Sequence, residues 1–246
     1  MTPSLKHIEE FREALKEYRI SDAGLKALEG LKFVAILGPT STGRNTVIRE
    51  LLKKGNYHFV ISDTTRPPRT NDGKLEQNGV EYFFKTEEEM LDGLKKGEYL
   101  EAELIHNQQV SGISLQELQK AKDDNKVAIT DMDLGGVNNL MNIKTDAIAI
   151  MLLPPSFEEW MRRMSSRGRM GEQELRRRLD TAGKILEDAK NKAFYKLVIA
   201  DNIEHAAATV DSIVQGDGNR QEGQAREILH DLQYQLQQKL ESMKFI

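Results

Sequence analysis

From about position 30 onward the chain alternates short, almost wholly apolar runs with stretches whose apolar residues recur every three or four positions. Lys32-Phe-Val-Ala-Ile-Leu37, Lys126-Val-Ala-Ile-Thr130, Ala147–Leu153 and Lys196-Leu-Val-Ile199 are too short for helices and too apolar for solvated loops. They predict buried parallel strands. Tyr57–Ile61, Val80–Phe84 and Glu98–Ile105 predict further strands, with Asp72-Gly73 and Asn78-Gly79 as turn signals. Helices are predicted over about Thr42–Lys54, from Thr86 to about Lys96, over Leu115–Asp123, over Gly171–Lys192 and from about Ile203. Thr86-Glu-Glu-Glu89 and Ser156-Phe-Glu-Glu159 each spell a capping box that opens a helix. Residues 1–30 read as a helical preamble, with Leu5, Ile8, Phe11, Leu15 and Tyr18 at helical spacing. Strands alternating with helices predict an α/β fold with a mostly parallel sheet.

Gly216–Gly223 contains no apolar residue and reads as a linker spanning 215–223. Beyond it, Leu229, Leu232, Leu236 and Met243 predict an amphipathic helix over 224–246. That stripe leaves two placements open, docking on its own domain or pairing with a second subunit or partner. The 246 residues carry 35 basic and 39 acidic side chains, a net charge of −4, which gives no global pull toward nucleic acid or an anionic membrane. The absence of cysteine excludes a disulfide scaffold, a thiolate zinc site and a cysteine nucleophile. Neither a signal-like stretch nor a membrane-length apolar run is present, so a cytoplasmic protein is expected. The arginines between Trp160 and Arg178 lack the interleaved aromatic residues of an RNA platform, which argues against nucleic acid as a partner.

Between the first strand and the first helix stands Gly38-Pro-Thr40-Ser41-Thr42-Gly43-Arg44-Asn45-Thr46. Its Gly-x-x-x-x-Gly spacing suits a loop whose backbone N–H groups cradle phosphate at a helix N-terminus. A P-loop continues with Lys and Ser/Thr, whereas this chain continues with Arg44 and Asn45. Arg44 keeps the positive charge as a planar fork. Asn45 removes the hydroxyl expected on Mg²⁺ and leaves its own amide oxygen or the Thr46 hydroxyl as metal-ligand candidates.

These residues and several others resemble the guanylate kinase family over about 31–214. Ser62-Asp-Thr-Thr-Arg66-Pro-Pro-Arg69 is similar to the family's Ser-x-Thr-Thr-Arg-x-Pro-Arg, and Val80-Glu-Tyr82-Phe-Phe to its acceptor strand. Leu100-Glu101 resembles the pair whose Glu reads guanine, and Asp131-Met-Asp133-Leu-Gly-Gly136 the family's Asp-x-Asp-x-x-Gly. Leu153-Pro-Pro-Ser156 with Arg163, Arg167-Gly168 and Arg178-Leu179 resembles the lid. The resemblance implies a P-loop three-layer α/β fold, with a small mixed-β acceptor part over about 62–106 and a helical lid over about 156–180. It implies phosphoryl transfer from ATP to GMP with Mg²⁺. The loop residues Gly38 to Thr46 would hold ATP phosphates. Ser62, Arg66, Arg69, Tyr82, Glu101, Asp131 and Asp133 would hold GMP, and Arg44, Arg163, Arg167 and Arg178 would neutralise the transferring group.

The chain departs from the pattern beyond the loop as well. Where the family has Asn-Tyr-Tyr-Gly-Ser/Thr, it reads Asn107-Gln-Gln-Val-Ser-Gly112-Ile113-Ser114. Ile113 replaces the hydroxyl expected on guanine O6, with Ser111 and Ser114 as nearby substitutes. The turn between Arg69 and Tyr82 is about four residues longer than the family's. Two other functions fit the same residues, a binding module of this fold without turnover and a kinase for another phosphorylated acceptor.

Overall fold

The structure, a computed structural model, describes residues 5–71, 73–105, 107–166 and 170–243. In chain order its elements are α1 (Ile8–Glu17), α2 (Asp22–Leu28), β1 (Phe33–Leu37), α3 (Arg44–Leu52), β2 (Tyr57–Phe59), β3 (Asp63–Thr64), β4 (Thr70–Asn71), β5 (Lys74–Leu75) and β6 (Phe83–Phe84). They continue with α4 (Glu87–Lys95), β7 (Tyr99–Ile105), β8 (Gln109–Ser114), α5 (Leu115–Asp123), β9 (Val127–Asp131), α6 (Leu134–Ile143) and β10 (Ile148–Leu153). The chain ends with α7 (Phe157–Ser165), α8 (Glu172–Asn191), β11 (Tyr195–Ile199), α9 (Ile203–Gln215) and α10 (Glu222–Ser242). The strands form a five-stranded sheet ordered β11-β10-β1-β9-β2, a four-stranded sheet ordered β6-β3-β8-β7, and the β4–β5 ribbon.

Two compact units emerge. One draws on the chain up to Lys32, on Asn56–Ala128 and on Asn139–Thr145; the other on Phe33–Gly55, Ile129–Asn138 and the chain from Asp146 onward. In the second unit, β1 pairs in parallel with β10 (Val34 opposite Ile148), and β10 in parallel with β11 (Ala149 opposite Tyr195). All five residues of β1 are buried, as a strand covered on both faces requires. Helices α3 and α9 pack together, burying Val47, Ile48 and Leu51 with Ala206, Ala207 and Val210. Helix α10 packs on α8, α7 and β11, and buries Ala225, Leu229, Leu232 and Leu236. The turn before α10 is tied down, because Asn219 Nδ2 donates to the Leu197 carbonyl at 2.6 Å.

In the first unit the small sheet is mixed. β3 runs parallel to β6 and antiparallel to β8, and β7 is antiparallel to β8. Helices α1 and α4 cover one face, joining Phe11, Met90, Leu91 and Leu94 to Tyr99 and Val110. Helix α4 carries the full capping box: Glu89 N donates to the Thr86 hydroxyl, and Thr86 N donates to the Glu89 carboxylate. Three local differences from the sequence pattern stand out. The preamble is two helices, α1 and α2. The strand expected over Val80–Phe84 narrows to Phe83–Phe84, because Gly79 N bonds back to the Tyr82 carbonyl and prolongs the turn. Residues Gln109–Ser114 form strand β8. Among the described residues no helix is long and apolar enough to cross a membrane.

Candidate functional site

In the second unit the phosphate-loop candidate links β1 to α3. Gly38 packs so closely that a Cβ there would stand 2.4 Å from the Leu152 carbonyl oxygen. Gly43 is the N-cap of α3, and having no side chain it leaves first-turn N–H groups for an external acceptor. Thr42 is fully buried, with its hydroxyl donating to the Pro39 carbonyl at 2.9 Å, and Trp160 Nε1 donates to the Thr40 carbonyl at 2.8 Å. Both bonds brace the loop from behind. Ser41 adopts a left-handed backbone (φ 66°), and its buried hydroxyl has no hydrogen-bond partner among the described residues. A strained, orphaned polar group inside such a loop points to a ligand that completes it.

Arg44, at the first position of α3, reaches the end of β9. Its guanidinium lies 3.9 Å from Asp131 Oδ2 and donates to the Met132 carbonyl at 3.4 Å. Asn45 and Thr46 are exposed. Asp133 accepts from Gly136 N at 2.7 Å and caps α6. Arg163 donates to Glu159 at 2.8 Å and to the Ala200 carbonyl at 2.8 Å, while Arg178 donates to Glu174 at 2.7 Å. The Arg162 and Arg163 side chains pull the Glu159 carboxyl down to about 2. Arg167 lies outside the described residues. Among the described residues no three His, Cys, Asp or Glu side chains gather into a metal cage.

Of the acceptor candidates, Asp131 and Asp133 lie in the second unit; Ser62, Arg66, Arg69, Tyr82 and Glu101 lie in the first, on the small sheet and its loops. Facing residues on paired strands point to the same side. Ser111 stands opposite Thr64 and Glu103, its hydroxyl donating to the Thr64 hydroxyl at 2.8 Å. Glu101 stands opposite Ile113 and shares the face of Glu103, two residues on. Phe84, opposite Thr64, joins them. Arg66 extends this face, its guanidinium 4.6 Å from the Tyr82 ring centroid and 5.8 Å from that of Phe84. Glu101, Ser111, Arg66 and Tyr82 are therefore brought to one side of one sheet. Ser114 is drawn away, because its hydroxyl accepts from Glu117 N and caps α5. Of the two substitutes considered for the missing guanine-facing hydroxyl, Ser111 shares the face of Glu101. The backbone carbonyl of Ser62, just before β3, accepts from Phe83 N at 3.0 Å.

Arg66 is not an open fork. It is buried and forms a bidentate pair with Glu76, at 2.6 and 3.0 Å. Glu76 Oε2 also accepts from Arg69 N at 2.9 Å. Glu76 was not singled out from the sequence. Its signal was the Asp72-Gly73 turn, because the register Thr70 opposite Leu75 and Asn71 opposite Lys74 continues to Arg69 opposite Glu76. The Arg69 side chain is exposed and donates to Gln109 at 3.4 Å.

The family model for guanylate kinase matches residues 31–217. The chain belongs to the guanylate kinase family. Guanylate kinase from Corynebacterium glutamicum is 32% identical over 187 residues, covering 75% of this chain and 95% of that one. Guanylate kinase 1 of Oryza sativa subsp. japonica is 29% identical over 79% of this chain, which spans only half of that relative's length. The crystal structure of guanylate kinase from Anaplasma phagocytophilum shares the fold at a TM-score of 0.56 and 24% identity, covering 76% of this chain and 86% of that one. Helices α1, α2 and α10 lie outside the guanylate kinase match.

Proposed function

We propose that this guanylate kinase family member transfers the γ-phosphoryl group of ATP to GMP. The observation that carries the proposal is the acceptor face, where the Tyr82 ring, the Glu101 carboxylate and the Ser111 hydroxyl share one side of the small sheet with Arg66, itself paired with Glu76. The exposed Arg69 guanidinium follows three residues on. A phosphate takes guanidinium donors, and a guanine edge, with its N1–H and exocyclic amine, takes a carboxylate. Adenine offers no such pair of donors, and the unmet carboxylate would count against it.

In this reading the Gly38–Thr46 loop holds the β- and γ-phosphates through its amides, with the orphaned Ser41 hydroxyl completing the cradle. Arg44 supplies the charge that the family's Lys supplies. A phosphate oxygen of GMP forms the new bond to the γ-phosphorus, and the bond from that phosphorus to the β–γ bridging oxygen breaks, leaving ADP and GDP. Such transfer rests on positioning and charge neutralisation, which suits a constellation of arginines and amides. The exposed Asn45 and Thr46 side chains and the Asp131 carboxylate would hold Mg²⁺. A metal carried chiefly by nucleotide phosphates and water fits a chain whose described residues build no cage. Bound there, Mg²⁺ would neutralise charge on the transferring phosphoryl oxygens. Helix α10 is read as a brace within its own unit, since its leucine stripe is already covered there.

The test is ADP release from Mg-ATP with GMP, dGMP, AMP, UMP and CMP as separate acceptors. Turnover with GMP and dGMP is expected. Turnover with a different base alone would overturn the base assignment, and none with any acceptor, from folded protein, would overturn the enzyme reading.

A further inference from the structure

Strand β7 changes face part-way along. Tyr99 stands opposite Ser114 and Glu101 opposite Ile113, so two steps on β7 match one on β8 and Leu100 is the extra residue of a β-bulge. Without that bulge, Tyr99 and Glu101 would share a face. With it, Tyr99 turns into the core under α1 and α4, its hydroxyl donating to Asp63 at 2.9 Å, while Glu101 turns to the acceptor face. Gly112 permits the arrangement, because a Cβ there would lie 2.7 Å from the Glu101 carbonyl oxygen and 3.1 Å from the Tyr99 ring.

β7 is also an edge strand, whose outward backbone groups have no strand partner among the described residues. At Tyr99 one side chain from outside the guanylate kinase match meets both groups. The Tyr18 hydroxyl donates to the Tyr99 carbonyl oxygen and accepts from Tyr99 N at 2.8 Å. A strand end held at both backbone groups, one residue before a bulge, cannot slip to the register that would turn the next carboxylate away.

We infer that Tyr18 is a positioning residue for the acceptor base: by fixing Tyr99 ahead of the Leu100 bulge, it holds Glu101 on the acceptor face. The inference rests on the GMP reading above and is tested with the full chain. In Tyr18→Phe, which removes both hydrogen bonds to Tyr99 and passes only part of that loss on to Glu101, the KM for GMP should rise about fivefold, with the KM for Mg-ATP unchanged. The preference for GMP over IMP, which lacks the exocyclic amine, should fall with it. In a Glu101→Gln background the same substitution should have no further effect on GMP, since coupled residues are not additive. An equal rise in both KM values, or a Tyr18→Phe effect that persists without Glu101, would overturn the inference. The unmodified chain gives a separate readout. The Tyr99 amide should exchange slowly with solvent although it lies on a sheet edge, and exchange as fast as that of an exposed amide would also overturn it. Absence of GMP turnover in the unmodified chain would instead remove the phosphotransfer reading, with the anchor still decided by amide exchange.

Discussion

Arg66 shows how far a residue type alone carries an assignment. Its place in the Arg-Pro-Pro-Arg segment marks it as a phosphate ligand, yet the fold also makes it the partner of Glu76, with both side chains less than one-tenth exposed. Truncating one member of such a pair leaves the other charge buried, at a cost of about 3–5 kcal/mol. Arg66→Ala is therefore expected to lower stability by that amount, read as a fall in the urea midpoint, in addition to weakening GMP. A midpoint unchanged within error would mean that the pair contributes nothing to the fold. Arg69, exposed at its guanidinium, is the cleaner probe of phosphate binding. Asp63 gives a prediction of opposite sign. Burial raises its carboxyl above the usual range, helped by Glu117 and Glu89, and the Tyr99 hydroxyl and Lys85 only partly offset this. A carboxyl raised in the folded state favours folding in acid and loses that contribution as pH rises through its folded pKa. Asp63→Asn keeps an acceptor for Tyr99 and removes the buried charge. It should be at least as stable as the unmodified chain at neutral pH, with the advantage shrinking as pH falls through the raised value. Urea melts at several pH values decide this, and an advantage that grows toward acid would refute it.

At the scale of elements, legibility followed the strength of the local signal. β1, β9, β10 and β11 were readable because a run covered on both faces has no polar positions to confuse it. α4 and α7 were readable from their caps, although only Thr86 completes the box: Ser156 accepts from Glu159 N, while the Glu159 carboxylate turns to Arg162 and Arg163. β8 was not, since Gln109-Val-Ser-Gly-Ile-Ser114 has weak strand formers and gains its identity from pairing with both β3 and β7. α6 was not legible either, since Gly135 and Gly136 are poor helix formers in its first turn, where Asp133 caps it. The bulge at Leu100 has no sequence signature at all, and it decides which face Glu101 occupies. The leucine stripe of α10 was visible, but what covers it was not, because periodicity names a buried face without naming its partner. The packing on α8 and β11 makes the stripe a source of stability. Leu232→Ala, at a fully buried position, should cost about 2–5 kcal/mol, checked by thermal and urea denaturation. A cost near zero, with the variant changing its association state instead, would show that the stripe serves a partner.

At the scale of the whole molecule, the chain asks an anionic nucleotide to bind a protein of net charge −4. Long-range steering contributes little in that case, so recognition has to come from local donors. Those donors are divided, with the acceptor face in the unit that holds β3, β7 and β8, and the phosphate loop in the unit that holds β1 and α3. The division makes the assignment of the two nucleotides separable by experiment. A ligand that binds only the folded form stabilises it by RT ln(1 + [L]/Kd), about 2.7 kcal/mol at a hundred times Kd. Amides that exchange only when their surroundings open should then slow by up to about a hundredfold. GMP alone is expected to slow exchange in peptides covering Thr64–Tyr82 and β7–β8. Mg-ATP alone should slow exchange across Gly38–Thr46 and the start of α3, where Ser41 and the first-turn amides await an acceptor. Mass spectrometry of pepsin fragments gives both footprints from one preparation. Protection of Gly38–Thr46 by GMP, with β7 and β8 untouched, would reverse the donor and acceptor assignments. If Mg-ATP protects nothing while GMP protects its face, the substitutions Arg44 and Asn45 have disabled the donor loop, and the chain keeps the family's fold as a nucleotide-binding module.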